Sequence, residues 1–275
     1  MDEQQLTDEV LARLAATPDP RLRELVQALV RHLHDFAREV RLTEPEWLAA
    51  IGFLTETGRK CDSSRQEFIL LSDTLGLSSL VDLVNHGSDD PALTESTILG
   101  PFYVPGSPRR GWGESMVEFD DQGEPAVLRG RVVDPAGVPV GGAEIDCWQN
   151  AANGFYAVQQ PGVQPATNLR GVYLTAPDGT YEIRTVRPTP YPVPDDGPVG
   201  ALLAATGRHP WRAAHVHVIV RADGYQPVIT HVFDSASAYL DSDTVFGVKP
   251  SLVRDFRPGP DGVLECEHDI VLRPL

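Results

Sequence analysis

The spacing His215-Val216-His217, inside Ala-Ala-His-Val-His-Val-Ile-Val, is the sharpest chemical signal in the sequence. On a strand, residues i and i+2 project to one face, so the two imidazoles converge while Val216, Val218 and Val220 face the core. Imidazole pairs suit Zn, Cu, Fe and Ni alike, and two hydrogen-bonded histidines near a sheet end give the same pattern. No carboxylate motif or cysteine pair nearby completes an ordinary zinc site. Two tyrosines stand near instead: Tyr156 after Asn153-Gly154-Phe155, and Tyr191 in Pro190-Tyr191-Pro192-Val193-Pro194. Taken singly, each fits a packed aromatic with a satisfied hydroxyl. A phenol with an ordinary pKa of about 10 binds as phenolate only beside a strong Lewis acid, of which ferric iron is the usual one. Two phenolates and two neutral imidazoles would leave Fe(III) one residual positive charge, a combination that disfavours Fe(II) and zinc.

The elements that must position these residues differ between the two ends of the chain. Only five of 24 Gly and four of 24 Pro fall in residues 1–100, so helices belong there. Leu22, Leu25, Val26, Leu29, Val30, Leu33, Phe36 and Val40 follow the 3, 4, 7 spacing of one helical face, opened by Asp19 and Pro20. A second helix starts at Thr43 with Glu46 as a capping box, carries Trp47, Ile51 and Leu54, and stops at Gly58. A third is expected from about Asp62 through Phe68, Leu71, Leu75, Leu80 and Val84 towards Asn85. From about residue 126 the apolar period becomes two, predicting strands over 126–133, 143–148, 172–176, 181–186, 214–220, 227–233 and 263–272. Short strands between turn-rich segments argue for an antiparallel sandwich or barrel, and the Pro/Gly-rich stretch 187–200 reads as a long loop within it.

Composition narrows the partners. Against 39 Asp and Glu stand 23 Lys and Arg, a net charge of −16, so nucleic acid and anionic membranes are poor expectations. No apolar run approaches a membrane span, and the N-terminus lacks the regions of a secretory signal. Three cysteines, Cys61, Cys147 and Cys266, read as reduced thiols of a cytoplasmic protein.

In combination, several stretches resemble the intradiol ring-cleaving dioxygenases, nearest to the hydroxyquinol 1,2-dioxygenase branch. They are Thr94-Glu95-Ser96-Thr97-Ile98-Leu99-Gly100-Pro101-Phe102-Tyr103, Asn153-Gly154-Phe155-Tyr156, Asn168-Leu169-Arg170-Gly171, Arg187-Pro188-Thr189-Pro190-Tyr191-Pro192, Gly207-Arg208-His209-Pro210-Trp211-Arg212 and His215-Val216-His217. The resemblance implies an α+β fold: an N-terminal helical dimerisation and linker region over 1–103, then an antiparallel β-sandwich catalytic domain over 104–275. It implies one Fe(III) per subunit held by Tyr156, Tyr191, His215 and His217, dioxygen as co-substrate, and a small aromatic vicinal diol as substrate. In relatives the helices of two subunits also enclose bound phospholipid.

The same resemblance assigns catalytic parts to Arg212, to Tyr191 as the ligand that releases, and to His231. Arg212 otherwise reads as a surface ion pair. His231, in Thr230-His231-Val232-Phe233, stands where catechol enzymes have Gln; together with Tyr239-Leu240-Asp241-Ser242-Asp243-Thr244-Val245-Phe246-Gly247-Val248-Lys249 it points to the hydroxyquinol branch. The implied diol pocket comprises Leu70, Asp73, Ile98, Leu99, Gly100, Pro101, Phe102, Val193, Pro194, Arg212 and Val245. Asp73, amid Leu70, Leu71 and Leu75, is either a solvent-facing acid or an acceptor for a third substrate hydroxyl. The implied product is 3-hydroxy-cis,cis-muconate. Catechol or chlorocatechol cleavage is the alternative, and a non-enzymatic sandwich module a remoter one.

Overall fold

The computed structural model describes residues 1–62, 65–87, 90–119 and 122–275. Two compact units divide the chain, 1–56 and 57–275.

The first unit is helical. α1 (Glu3–Leu14), which periodicity did not reveal, is closed by a reciprocal cap: Gln5 N donates to Asp2 Oδ1 at 2.8 Å and Asp2 N to Gln5 Oε1 at 2.9 Å. α2 (Pro20–Glu39) starts where expected, with the Asp19 carboxylate accepting from Arg21 N and Leu22 N. Its stripe of Leu22, Leu25, Leu29, Leu33, Phe36 and Val40 is about half exposed. α3 (Glu44–Arg59) follows Thr43, but the Thr43 hydroxyl donates to the Glu46 carboxylate at 2.8 Å instead of accepting from the helix backbone.

In the second unit the expected third helix is two. α4 (Glu67–Thr74) and α5 (Leu77–His86) are separated at Gly76, whose φ of 75° is the left-handed conformation that ends a helix. The start of that expected helix, Asp62 to Gln66, is non-helical where described, and Ser63 and Ser64 lie outside the described residues.

The strands are β1 (Pro125–Val133), β2 (Glu144–Trp148), β3 (Arg170–Leu174), β4 (Thr180–Val186), β5 (Tyr191–Pro192), β6 (Trp211–Arg212), β7 (His215–Arg221), β8 (Val228–Asp234), β9 (Val253–Arg254), β10 (Arg257–Pro258), β11 (Leu264–Glu267) and β12 (Ile270–Val271). One sheet runs β3-β2-β7-β8-β9; the other runs β10-β11-β1-β12 with β4 also paired to β1. Their facing side chains, Ile145, Val216, Val218, Val220 and Val232 against Leu128, Val132, Ile183 and Ile270, form one apolar core. The sheets are mixed, not purely antiparallel: β11 and β12 lie parallel to successive halves of β1, and β9 lies parallel to β8. The single strand expected over 263–272 breaks because His268 N donates across to Arg129 O, and His268 O comes so near Gly130 that a Cβ there would sit 2.1 Å away. The stretch read as a loop over 187–200 holds β5 and opens α6 (Pro198–Ala205).

Candidate active site

β7 does what a period of two requires. Val216, Val218 and Val220 enter the inter-sheet core, while His215 and His217 emerge on the opposite face, both buried. Register brings neighbours to the same face: Trp148 of β2 pairs with His217, and His231 of β8 pairs with it on the other side. The Trp148 and His217 rings are stacked, with centroids 4.6 Å apart and planes 9° from parallel. His231 stacks on His215 at 4.5 Å.

Both tyrosines arrive from outside the main sheets. Tyr156 precedes a single 3₁₀ turn, Ala157–Gln159, and is pinned there by its N–H donating to Gln159 Oε1 at 2.9 Å. Tyr191 lies on the two-residue ribbon β5–β6, directly opposite Arg212. Phe102 stacks on Tyr156 at 4.6 Å and meets Tyr191 edge-on. Gly100, at φ 76°, passes so near His217 that a Cβ would lie 3.2 Å from its Cε1.

Four donor atoms converge. Tyr156 Oη is 2.9 Å from His217 Nε2, and the two histidine Nε2 atoms are 3.1 Å apart. Arg212 Nη1 is 3.2 Å from Tyr191 Oη and 3.1 Å from His215 Nε2. His215 Nδ1 lies 2.6 Å from Ala213 O; a carbonyl only accepts, so Nδ1 carries the hydrogen and Nε2 presents a lone pair inward. Burial holds His215 and His217 well below the usual histidine range, with the Arg212 charge adding to it, so both rings are neutral at neutral pH. Burial, reinforced by Tyr191, pushes the Tyr156 phenol far up; a cation is needed to ionise it. Buried lone pairs from two imidazoles, facing two phenol oxygens, fit a metal ion with a preference for anionic oxygen. His231 joins His215 and His217 in the one cluster of potential metal-ligating histidines, cysteines and carboxylates among the described residues, and its two ring nitrogens have no hydrogen-bond partner there.

Arg212 is buried, not a surface ion pair. Burial opposes its charge, yet the Asp243 carboxylate and the two tyrosine oxygens outweigh that and hold it cationic. Leu70, Ile98, Val193 and Val245 pack in one apolar cluster with Val199 and Leu203 of α6. Phe102 belongs instead to the aromatic cluster of Trp148, Tyr156 and Tyr191. Asp73 is buried on α4; burial raises its carboxyl, partly countered by Ser78 and the Arg212 charge. Pro101 and Pro194 are half-buried and Leu99 is exposed at the rim. Sequence reasoning missed Trp148, Asp243 and Arg170. The strand expected over 143–148 already put Trp148 at an end near the site, whereas nothing local distinguishes Asp243 among so many acids. Arg170, buried on β3, donates from Nη2 to Phe102 O at 2.7 Å and so fixes the ring that stacks on Tyr156.

Residues 98–274 match the family described as Dioxygenase, and residues 19–92 the family described as Catechol dioxygenase N terminus. The chain is 50% identical to the 6-chlorohydroxyquinol 1,2-dioxygenase of Cupriavidus pinatubonensis, over 99% of this chain and 98% of that protein. It is also 50% identical to the hydroxyquinol 1,2-dioxygenase of a Rhizobium species, over 93% and 86% respectively. Among solved structures, hydroxyquinol 1,2-dioxygenase from Pseudomonas putida superposes with a TM-score of 0.93 at 46% identity, covering 99% of both chains. Catechol 1,2-dioxygenase from an Acinetobacter species reaches 0.85 at 27% identity, covering 99% of this chain and 92% of the other. With its sandwich, its buried histidines and these likenesses over nearly its whole length, the chain belongs to the intradiol ring-cleavage dioxygenases.

Proposed function

We propose that the protein cleaves hydroxyquinol with dioxygen between its vicinal hydroxylated carbons, giving 3-hydroxy-cis,cis-muconate, at one Fe(III) per subunit. The observation that carries this reading is the convergence of Tyr156 Oη, Tyr191 Oη, His215 Nε2 and His217 Nε2 in a buried site. Ferric iron bound by these four atoms supplies a Lewis acid that keeps the phenolates ionised and templates the diol.

The protein's own parts then divide as follows. Tyr156 is held between Phe102 and its 3₁₀ turn, whereas Tyr191 stands on a two-residue ribbon outside both sheets. Of the residues that would hold the iron, Tyr191 is therefore the one freer to move, and its oxygen would accept a proton from the incoming diol. Arg212 donates to the Tyr191 oxygen at rest and offers fixed positive charge where charge develops on the substrate ring. His231 stands beside both imidazoles and would donate a hydrogen bond to dioxygen entering on that side. Leu70, Ile98, Val193 and Val245 give the ring an apolar wall, with Leu99, Gly100, Pro101, Phe102 and Pro194 bordering it. Asp73 faces the third hydroxyl. Besides its hydrogen bond to Ser78 the carboxyl keeps acceptor capacity in that wall, which a diol lacking this hydroxyl leaves unused.

We extend the reading to assembly and place. The half-exposed apolar stripe of α2 supports a homodimer through the region 1–103, with phospholipid bound among those helices, and the sequence supports a cytoplasmic location. No helix among the described residues is long and apolar enough to cross a membrane. Light scattering and lipid extraction test the assembly.

For the reaction, purified protein should contain stoichiometric iron, show the red tyrosinate-to-iron colour, and consume one dioxygen per hydroxyquinol. Tyr156→Phe should lose the colour or the iron. Colourless, iron-free native protein that consumes no oxygen with hydroxyquinol, 6-chlorohydroxyquinol or catechol would overturn the proposal.

A further inference from the structure

Arg212 has a seat of its own, made by one loop. Asp243 Oδ1 accepts from Arg212 Nε and from Ala213 N, each at 3.2 Å, while Asp243 Oδ2 accepts from Gly247 N at 2.9 Å. Both partners of this ion pair are 2% exposed. The loop itself is fixed from four sides. Thr97 Oγ1 donates to Gly247 O at 2.8 Å, Thr244 N to Trp211 O at 3.1 Å, Arg208 Nη2 to Thr244 O at 2.6 Å, and Ser79 Oγ to Val245 O at 3.0 Å. Gly247 leaves room for the guanidinium, since a Cβ there would lie 2.9 Å from Arg212 Nη2. Nη1 is committed to Tyr191 and His215, Nε to Asp243, and Nη2 is buried with no partner among the described residues. A buried charged group is left with a free N–H face only if something else prevents it from turning to satisfy itself.

We infer that Asp243 is a positioning residue: its carboxylate clamps the Arg212 guanidinium so that Nη2 stays free for the anionic oxygen of the bound diol. The clamp works through two shared contacts, to Nε and to the Ala213 N–H beside it, which fix the plane of the guanidinium and the start of the segment leading to His215. The same short loop carries Val245 into the apolar cluster with Leu70 and Ile98, so one element sets both the charge and one wall of the pocket.

This rests on the proposed function, and the test separates the two. Hydroxyquinol titrated under argon binds without turnover, so its Kd is read from the visible band apart from activity. Asp243→Asn should keep the iron content and the resting colour while weakening that Kd and lowering kcat/KM by about tenfold each, the scale of one charge-assisted hydrogen bond. Gly247→Ala, whose methyl would lie 2.9 Å from Arg212 Nη2 and 3.3 Å from Asp243 Oδ2, should displace the clamped guanidinium and lose several-fold in the same two readings with iron content unchanged, and stands in if Asp243→Asn does not fold. On an Arg212→Met background either change should cost less than about twofold further, because what it positions is gone. Full multiplication of the losses on that background, or variants within about twofold of native in both readings, overturns the inference. Native protein that binds neither iron nor diol overturns the proposed function and this inference with it.

Discussion

One face of β7 carries Val216, Val218 and Val220 into an apolar core, and the other carries His215 and His217 into a layer of aromatic and charged groups, although all five side chains are buried. On the apolar face every atom gains from leaving water. On the polar face His217 Nδ1, both nitrogens of His231, Trp148 Nε1 and Arg212 Nη2 lack partners among the described residues. Each such group costs on the order of 1–3 kcal/mol. The layer on the polar side therefore gives up part of the stability that the apolar side gains, and that difference sets the two sides of β7 apart.

His217→Leu should give the largest effect and separates the faces directly. Loss of a ligand atom should lower turnover by more than about a thousandfold and abolish the colour. Metal-free protein should melt only slightly lower than metal-free native protein, because the change removes the unpartnered Nδ1 but also the Nε2 contacts to Tyr156 Oη and His215. A melting temperature that falls as far as in a core variant would show that the polar face contributes to stability as the apolar face does.

Asp73→Ala should come next. Burial keeps this carboxyl raised despite its hydrogen bond to Ser78 and the Arg212 charge, and on the proposed reading it also accepts from the third hydroxyl. The ratio of kcat/KM for hydroxyquinol over catechol should fall at least about tenfold. Equal losses on both substrates would remove Asp73 from the recognition of that hydroxyl.

Much of this contrast is legible in the residue order. The alternation about His215 assigns its two faces, and Asp19-Pro20 and the long stripe after it mark α2. Other features escaped because their causes are non-local. The break at Gly76 looks like one more position in an apolar run. α6 begins inside a stretch whose prolines suggest only loop. The parallel pairing of β11 and β12 follows from where the chain returns, which no local pattern encodes. The convergence of Tyr156, Tyr191 and the histidines depends on a 3₁₀ turn and a two-residue ribbon, elements too short to carry a period. Asp243 meets Arg212 from 31 positions away, and nothing at that distance is visible in residue types.

Val218→Ala sharpens the other side of the comparison. Removing two buried methyl groups from the core should cost roughly 2 kcal/mol in urea unfolding of the metal-free protein. Iron content and kcat should hold at temperatures well below the melting point, since Val218 faces away from the ligands. Loss of iron at unchanged stability would mean that the strand transmits core packing to the site, and the two faces would no longer be separable.

The smallest expected effect uses a buried histidine far from the ligands in the topology. His268, between β11 and β12, has neither ring nitrogen partnered among the described residues, and burial, with the Arg254 charge, pulls it down to about 3. Its folded value lies below its unfolded value of 6.5, so the unfolded chain takes up the proton first. The stability it contributes is complete above 6.5 and is lost as pH falls from there towards about 3. Over the first unit below 6.5 that loss is about 1 kcal/mol. His268→Leu should leave stability at pH near 8 unchanged or higher and flatten the acid limb by that amount relative to native protein. An unaltered acid limb would show that His268 is protonated alike in the folded and unfolded chains, and that a buried imidazole without a partner costs little outside the site. The partnerless atoms beside His217 would then lose their force as a marker of ligand binding.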